Sequence, residues 1–266
     1  MTETDLVYAT WEQESLTLDM HVPAEPGGAP IVIYLPGRGQ TTAPTSIVDG
    51  LVEEEAIVFV VRYAGSDSGV AEILGDHGAD ARAKADSVAC AVHFARAQAS
   101  ELGSADPLVA LTGYSGGGGL AAHAALFGST LETSWAAYAV EGGPQGLVDC
   151  EATEGSTHVD ALVGLGGGTY DLYVPIYDGK FGRAYQQELD MELWEFLSSP
   201  IGANPDLKIR LLHGESDPGP PYDEAAEFAE QLADAGYDVQ LVPFAGGHVP
   251  PPTELSLSAI MGVVGR

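Results

Sequence analysis

The chain has 266 residues, 45% of them hydrophobic, which is enough to bury a large core. Only 10 Lys and Arg stand against 39 Asp and Glu, and the formal net charge of −29 makes nucleic acids and anionic membranes poor partners. No apolar run is long enough to cross a bilayer and the acidic start has no signal-peptide pattern, so we expect a cytoplasmic protein, or a secreted one whose signal has been removed.

The first predicted element is a β-hairpin. Residues 6–11 and 15–22 alternate apolar with polar side chains, a pattern typical of half-buried strands that pair antiparallel at the edge of a sheet. The pattern then changes to continuous apolar runs, which indicate strands covered on both faces. These runs occupy residues 31–35, 57–61, 108–112, 159–165, 209–212 and 239–242.

Helical patterns separate most of the apolar runs. Residues 81–102 are rich in alanine, residues 222–235 follow two prolines and end before a glycine, and residues 254–264 form the last predicted helix. This alternation predicts an α/β fold with a mostly parallel central sheet, an antiparallel N-terminal hairpin and helices on both faces. No linker divides the chain, so residues 1–266 are predicted to form one domain.

Two segments interrupt the alternation, at about residues 128–156 and 169–204. We interpret both as excursions over the end of the sheet that would carry a functional site. The second is rich in aromatic residues, among them Tyr170 and Tyr173. Because cores and binding pockets are both rich in aromatic side chains, this segment is predicted either to form a satellite core or to line a substrate pocket.

The most informative motif is Gly-Tyr-Ser-Gly-Gly at residues 113–117, between a buried strand and an alanine-rich helix. A serine on such a turn needs a strained backbone and small neighbours, which Gly113 and Gly117 supply. The turn would expose the hydroxyl of Ser115 at a helix N-terminus, where free N–H groups favour negative charge. The alternative is a glycine-rich turn in which Ser115 merely caps the helix.

A nucleophilic serine needs a base, and the base needs an acid that orients it. In a strand–helix chain of this kind the acid comes before the histidine. Asp217 follows one predicted strand and His248 lies in a glycine-containing loop after the next, while Glu215 is the competing acid. Because the carboxyl ends of parallel strands share one edge, Ser115, Asp217 and His248 are expected to meet there. We assign no chemistry to the remaining histidines, which are His21, His77, His93, His123, His158 and His213.

Stabilising an oxyanion would require two backbone N–H groups. We expect one from Gly116 and the other from the loop after residues 31–35, with Arg38 favoured and Gly39 as second choice. The alternative is that this loop is only a turn. The candidates for contact with a substrate are Gly39, Tyr114, Tyr170 and Tyr173.

On these motifs the chain resembles the α/β-hydrolase superfamily, and within it the bacterial carboxylesterase-like, lipase-like and dienelactone-hydrolase-like serine hydrolases. The similar segments are residues 35–37, 86–96, 113–117, 212–217 and 246–248. The resemblance implies a catalytic triad of Ser115, Asp217 and His248, an acyl-enzyme intermediate, and no metal or other cofactor. The chain departs from the family at Arg38, since Pro-Gly-Arg stands where many relatives have His-Gly-Gly, and this cation would favour acidic substrates.

The expected function is therefore hydrolysis of a small-molecule carboxylic ester. The absence of a large cap domain or a propeller from the sequence argues against large lipids and oligopeptides. A peptidase, a thioesterase or a lactone hydrolase would use the same triad, and a non-catalytic binding protein of the same fold is the alternative from another class. The sequence does not predict the oligomeric state.

Two further features allow two interpretations each. Cys90 and Cys150 do not form a Cys-x-x-Cys pair, so they are either two buried thiols or one long-range disulfide. The acidic composition indicates either a strongly solvated surface or an adaptation to high salt, where screening relieves the repulsion between like charges.

Overall fold

A computed structural model describes residues 1–37, 39–66, 77–130, 148–167, 204–219 and 221–265. Within these ranges the strands are β1 (Thr2–Trp11), β2 (Glu14–His21), β3 (Ile31–Leu35), β4 (Ile57–Val61), β5 (Val109–Ser115), β6 (Val148–Cys150), β7 (Ala161–Gly167), β8 (Lys208–Gly214) and β9 (Asp238–Phe244). The α-helices are α1 (Thr45–Glu53), α2 (His77–Glu101), α3 (Gly116–Phe127), α4 (Tyr222–Asp234) and α5 (Thr253–Val264).

The nine described strands form one sheet in the order β6-β1-β2-β4-β3-β5-β7-β8-β9. β1 pairs antiparallel with β2 and with β6, and β2 pairs antiparallel with β4. In the remaining part of the sheet, β4-β3-β5-β7-β8-β9, all neighbouring strands are parallel. The predicted α/β class, the mostly parallel sheet and the antiparallel hairpin are confirmed, but the hairpin does not form the edge, because β6 lies outside β1.

Each central strand is apolar on both faces because each face lies under helices. In β3, Ile31 and Ile33 belong to one core, whereas Val32 and Tyr34 belong to the other. Helices α2, α3 and α4 contribute to the first core, and α1 and α5 contribute to the second. A strand that is buried on both sides reads as a continuous apolar run, which is why the sequence located β3 and β4 residue by residue.

A disulfide between Cys90 on α2 and Cys150 on β6 joins a helix to the edge strand. The two Cα atoms are 5.1 Å apart, within the usual range for a disulfide, and 60 residues separate the cysteines in sequence. Of the two interpretations open from the sequence, the structure therefore has the disulfide.

Most of the predicted excursions lie outside the described residues. The described part of the first contains a short 3₁₀ turn (Gly128–Thr130) and β6, while residues 169–203 of the second, with Tyr170 and Tyr173, lie outside them. The excursions and the single domain stay predictions. None of the described helices combines the length and the apolar character that crossing a bilayer requires.

Candidate active site

Ser115 lies at the turn that joins β5 to α3. Its φ of 52° falls in the left-handed region that favours glycine, and it is both the last residue of β5 and the N-cap residue of α3. A Cβ atom at Gly113 would overlap the backbone of Gly117, and one at Gly117 would overlap the carbonyl oxygens of Leu35 and Pro36. Glycine at both positions therefore allows the turn to close tightly against the end of β3.

His248 links Ser115 to Asp217 through two hydrogen bonds. The Oγ of Ser115 is 2.8 Å from Nε2 of His248, and Nδ1 of the same ring is 2.8 Å from Oδ2 of Asp217. An ionised carboxylate can only accept, so Nδ1–H is the donor to Asp217 and Nε2 is left to accept the Ser115 hydroxyl proton. The structure thus brings together the three side chains that the sequence selected.

Asp217 is the acid that reaches the imidazole, and Glu215 is not. The Asp217 side chain is fully buried, and its Oδ1 accepts the N–H of Gly219 at 2.9 Å. Glu215 is exposed, and its backbone N–H donates to the carbonyl of Phe244 at the end of β9. The sequence reasoning did not name Gly219, although Asp-Pro-Gly is a turn signature in which an aspartate accepts from the N–H two residues on.

The loops after β8 and β9 are in backbone contact, which sets the distance between the acid and the base. The Ser216 N–H donates to the carbonyl of Gly246 at 2.9 Å. A Cβ atom at Gly214 would overlap the carbonyl oxygen of Gly247. Glycine at residue 214 therefore lets the His248 loop lie directly on the end of β8.

A second histidine lies beneath Asp217. His213 on β8 is fully buried, its Nε2 is 3.6 Å from Oδ2 of Asp217, and its ring meets Tyr222 edge to face. At that distance the contact with Asp217 is electrostatic rather than a hydrogen bond. His213, to which the sequence assigned no chemistry, therefore lies against the acid that orients His248.

The loop after β3 approaches the serine turn, but one of its predicted donors is occupied. The Gly39 N–H donates to the carbonyl of Ser66 at 2.9 Å, so it is not available to an oxyanion in this arrangement. That corrects the second choice for the donor. Arg38, the first choice, lies outside the described residues, while Gly116 follows Ser115 directly as the first residue of α3.

Tyr114 points away from the exposed side of the turn. Its side chain belongs to the core that α1 and α5 cover, it is only 7% exposed, and its hydroxyl donates to the carbonyl oxygen of His248 at 3.2 Å. Burial, and then the negative charge of Asp217, raise the pKa of this phenol, so the hydroxyl keeps its proton. The placement differs from the substrate contact expected of Tyr114, because the alternation of side chains along β5 directs it inward.

Two observations concern the other candidates for chemistry. Burial lowers the pKa of His123 to about 3, which leaves this α3 residue neutral, and its ring packs edge to face on Phe127. Within the ranges described above, no three His, Cys, Asp or Glu side chains lie close enough together to hold a metal ion. The predicted substrate contacts of Gly39, Tyr170 and Tyr173 stay predictions.

Comparison with known proteins identifies esterases of similar structure. No protein-family model and no curated protein sequence matches the chain. A truncated carbohydrate esterase from gut microbiota aligns with 98% of this chain and 94% of its own, with a TM-score of 0.67 at 20% identity. The apo form of Thermogutta terrifontis esterase 2 aligns with 100% of this chain and 96% of its own, with a TM-score of 0.68 at 19% identity.

A larger protein contains the same fold as one part of its chain. The bifunctional GH43-CE protein of Bacteroides eggerthii matches 100% of this chain over 38% of its own, with a TM-score of 0.66 at 21% identity. At such identities the likeness establishes architecture alone. The chain has the α/β fold of these solved esterases.

Proposed function

We propose that the chain is a serine hydrolase of the α/β-hydrolase superfamily that cleaves carboxylic esters through an acyl-enzyme intermediate. The observation that carries this proposal is the continuous hydrogen-bonded path from Ser115 through His248 to the buried carboxylate of Asp217. Because the solved proteins of similar fold are esterases, we propose an ester as substrate rather than another acyl compound.

In the first step His248 removes the hydroxyl proton of Ser115 while Oγ attacks the carbonyl carbon of the ester. The carbonyl electron pair moves to oxygen, and Nε2 of His248 now carries the proton. Asp217 holds the ring in the tautomer that can accept at Nε2 and stabilises the positive charge that the ring acquires. Because Asp217 is fully buried, water weakens this attraction little.

The negative oxygen would be stabilised by backbone N–H groups. Gly116 supplies one as the first residue of α3, where amides point out of the helix without an internal partner. We propose the N–H of Arg38 for the other, since the Gly39 amide is bonded to Ser66. A donor of this kind commonly contributes about 10²- to 10³-fold to kcat.

The intermediate then collapses and the bond to the leaving alcohol breaks. His248 gives its proton to the departing oxygen, which leaves Ser115 acylated and the imidazole neutral. In the second half of the reaction His248 takes a proton from water while the water oxygen attacks the acyl carbon. The bond between that carbon and Oγ of Ser115 then breaks, the carboxylic acid leaves, and His248 returns the proton to Oγ. Atoms and charges balance over the cycle, with ester and water consumed and acid and alcohol formed.

The test compares Ser115→Ala with Ser46→Ala on p-nitrophenyl esters of increasing acyl length. We expect Ser115→Ala to lower kcat by about 10⁴-fold or more, because no nucleophile remains. Ser46 is an exposed α1 serine bonded to Thr253, so its substitution should leave kcat unchanged. A fluorophosphonate probe should label wild type at Ser115, and an unlabelled Ser115 or an active Ser115→Ala variant would refute the proposal.

The disulfide favours one of the two locations expected from the sequence. Disulfides persist in oxidising compartments and are rare where glutathione keeps thiols reduced, so we propose that Cys90–Cys150 forms in a secreted mature protein. Alkylation of the protein in its native host, with and without prior reduction, tests this point. Two alkylated cysteines without reduction would place the chain in a reducing compartment.

A further inference from the structure

Tyr114, the residue before the proposed nucleophile, contacts the proposed base His248. Tyr114 precedes Ser115 on β5, and its hydroxyl donates to the backbone carbonyl of His248 at 3.2 Å. Its ring also packs on the imidazole, with 5.5 Å between the ring centroids and 29° between the planes. One side chain thus contacts both the backbone and the ring of His248, and it leaves both ring nitrogens to Ser115 and Asp217.

Glycines surround the ring of Tyr114 and leave room for it. A Cβ atom at Gly37 would lie 3.0 Å from Cδ1 of Tyr114, and one at Gly166 would lie 3.4 Å from Cε2. Gly166 has a φ of +59°, and the pairing of β5 with β7 skips this residue between Tyr114 and Ser115. The loop after β3, the end of β7 and the His248 loop therefore all pack on one aromatic ring.

The loop that carries His248 has few side chains of its own with which to hold its position. Gly246 and Gly247 precede the histidine, and Val249 after it is 49% exposed. The imidazole is itself 30% exposed, and one edge of it is bonded to Asp217. Tyr114 supplies a buried contact on the other side of this segment.

We propose that Tyr114 is a positioning residue that holds the His248 loop in the position in which Nε2 is within hydrogen-bond distance of the Ser115 hydroxyl. This inference rests on the proposed function, because it concerns the geometry of the base in that reaction. It reassigns Tyr114 from contact with substrate to support of the base. The competing explanation is that Tyr114 is an ordinary core residue whose bond to His248 affects stability alone.

Tyr8 offers a matched control for the hydroxyl. It is fully buried in the other core, and its hydroxyl donates to the carbonyl of Arg62 at 3.2 Å, the same kind of bond at the same length. Tyr114→Phe and Tyr8→Phe therefore each remove one part-buried hydrogen bond to a backbone carbonyl, and Tyr8→Phe also removes the interaction of this hydroxyl with Ser87. We expect Tyr8→Phe to lose at least as much thermal stability as Tyr114→Phe, so a loss of rate confined to Tyr114→Phe cannot be ascribed to lower stability.

The expected result is a selective loss of rate in Tyr114→Phe. Its kcat on a p-nitrophenyl ester should fall about 5-fold, with KM within about twofold of wild type, while Tyr8→Phe keeps the wild-type kcat. Labelling of Ser115 by a fluorophosphonate should slow by a similar factor, because that reaction also needs the base. Tyr114→Leu, which removes the ring as well, should lose about 100-fold, as expected when a catalytic group is misplaced by about 1 Å.

A second measurement keeps this inference separate from the proposed function. NMR of ¹³C- and ¹⁵N-labelled protein reports the His248 ring directly, and the ring resonances should shift or broaden in Tyr114→Phe but not in Tyr8→Phe. Unchanged resonances together with a kcat equal to that of Tyr8→Phe would overturn the positioning role and leave the hydrolase proposal standing. If wild type is inactive and Ser115 is not labelled, the hydrolase proposal fails, and the positioning role fails with it.

Discussion

Along the strand order, the central sheet has an antiparallel end, formed by β6, β1 and β2, and a parallel end that includes β5, β8 and β9. These two ends are held together in different ways. At the antiparallel end, β6, β1 and β2 are connected to the rest by the Cys90–Cys150 disulfide and by an ion pair between Arg62 and Asp19, whose closest atoms are 2.7 Å apart. At the parallel end, β5, β8 and β9 run in one direction. β5 ends at Ser115 and passes directly into α3, while the glycine-containing loops after β8 and β9 carry Asp217 and His248.

The direction of the strands explains this difference. Parallel strands all present their carboxyl ends at one edge, so side chains that follow distant strands arrive at the same place. Neighbouring antiparallel strands end at opposite edges, which gives no such convergence. We therefore expect changes at the parallel end to act mainly on rate and changes at the antiparallel end to act mainly on stability.

The largest expected effect is on rate, at the parallel end. Asp217→Asn should lower kcat about 10⁴-fold, because an amide can donate to Nδ1 and would then leave the imidazole in the wrong tautomer. Glu215→Gln makes the same chemical change two residues away on an exposed side chain and should keep the wild-type kcat. Steady-state kinetics measures kcat for both variants. Equal losses of kcat would contradict the assignment of Asp217, rather than Glu215, as the acid that orients His248.

Loss of the disulfide at the antiparallel end should lower stability and leave kcat unchanged. Replacing Cys90 and Cys150 together by alanine should lower the free energy of unfolding by about 3 to 4 kcal/mol, because 60 residues separate the cysteines and the unfolded chain gains freedom. Urea denaturation at low temperature measures the loss, with reduced wild type as the control. A fall in kcat of the folded variant would contradict the separation of the two ends.

The smallest expected effect compares ion pairs at the two ends. Asp19, 15% exposed, pairs with Arg62 at 2.7 Å, whereas Asp238, 61% exposed, pairs with Arg210 at 3.1 Å. Water screens the exposed pair more strongly, so Asp19→Asn should cost about 1 kcal/mol of stability and Asp238→Asn less than about 0.5 kcal/mol. Thermal denaturation at low and high salt measures both. A larger loss for Asp238→Asn would show that burial does not set the strength of these pairs.

The sequence predicted the parts of the fold that are determined locally. The runs at β3 and β4 were located residue by residue, because both faces of these strands are buried. The strands β5, β8 and β9 continue two or three residues beyond their predicted ends, since glycine, polar residues or proline interrupt the apolar run at each of these ends. Those last residues are the ones that reach the candidate site.

Two of the described elements, α1 and β6, were not predicted, for different reasons. α1 is nine residues long and begins without a side-chain cap, so it has a weak start signal. β6 has three residues, and its pairing with β1 and its disulfide to α2 both involve segments far away in sequence.

The candidate site likewise has residues that local motifs predicted and contacts that they did not predict. Ser115, Asp217 and His248 could be selected from local motifs and chain order. The contact between Tyr114 and His248 spans 134 positions, and the bond from Gly39 to Ser66 joins two loops, so neither leaves a local pattern.

The backbone of Ser115 has a consequence for how the chain can change over generations. A residue other than glycine in this left-handed conformation costs about 1–3 kcal/mol, so a chain with glycine at position 115 would gain stability as it lost its nucleophile. Thermodynamics alone thus favours the loss of the hydroxyl, and only selection for activity opposes it. A descendant protein that no longer needed the reaction would be expected to become more stable and to lose its activity.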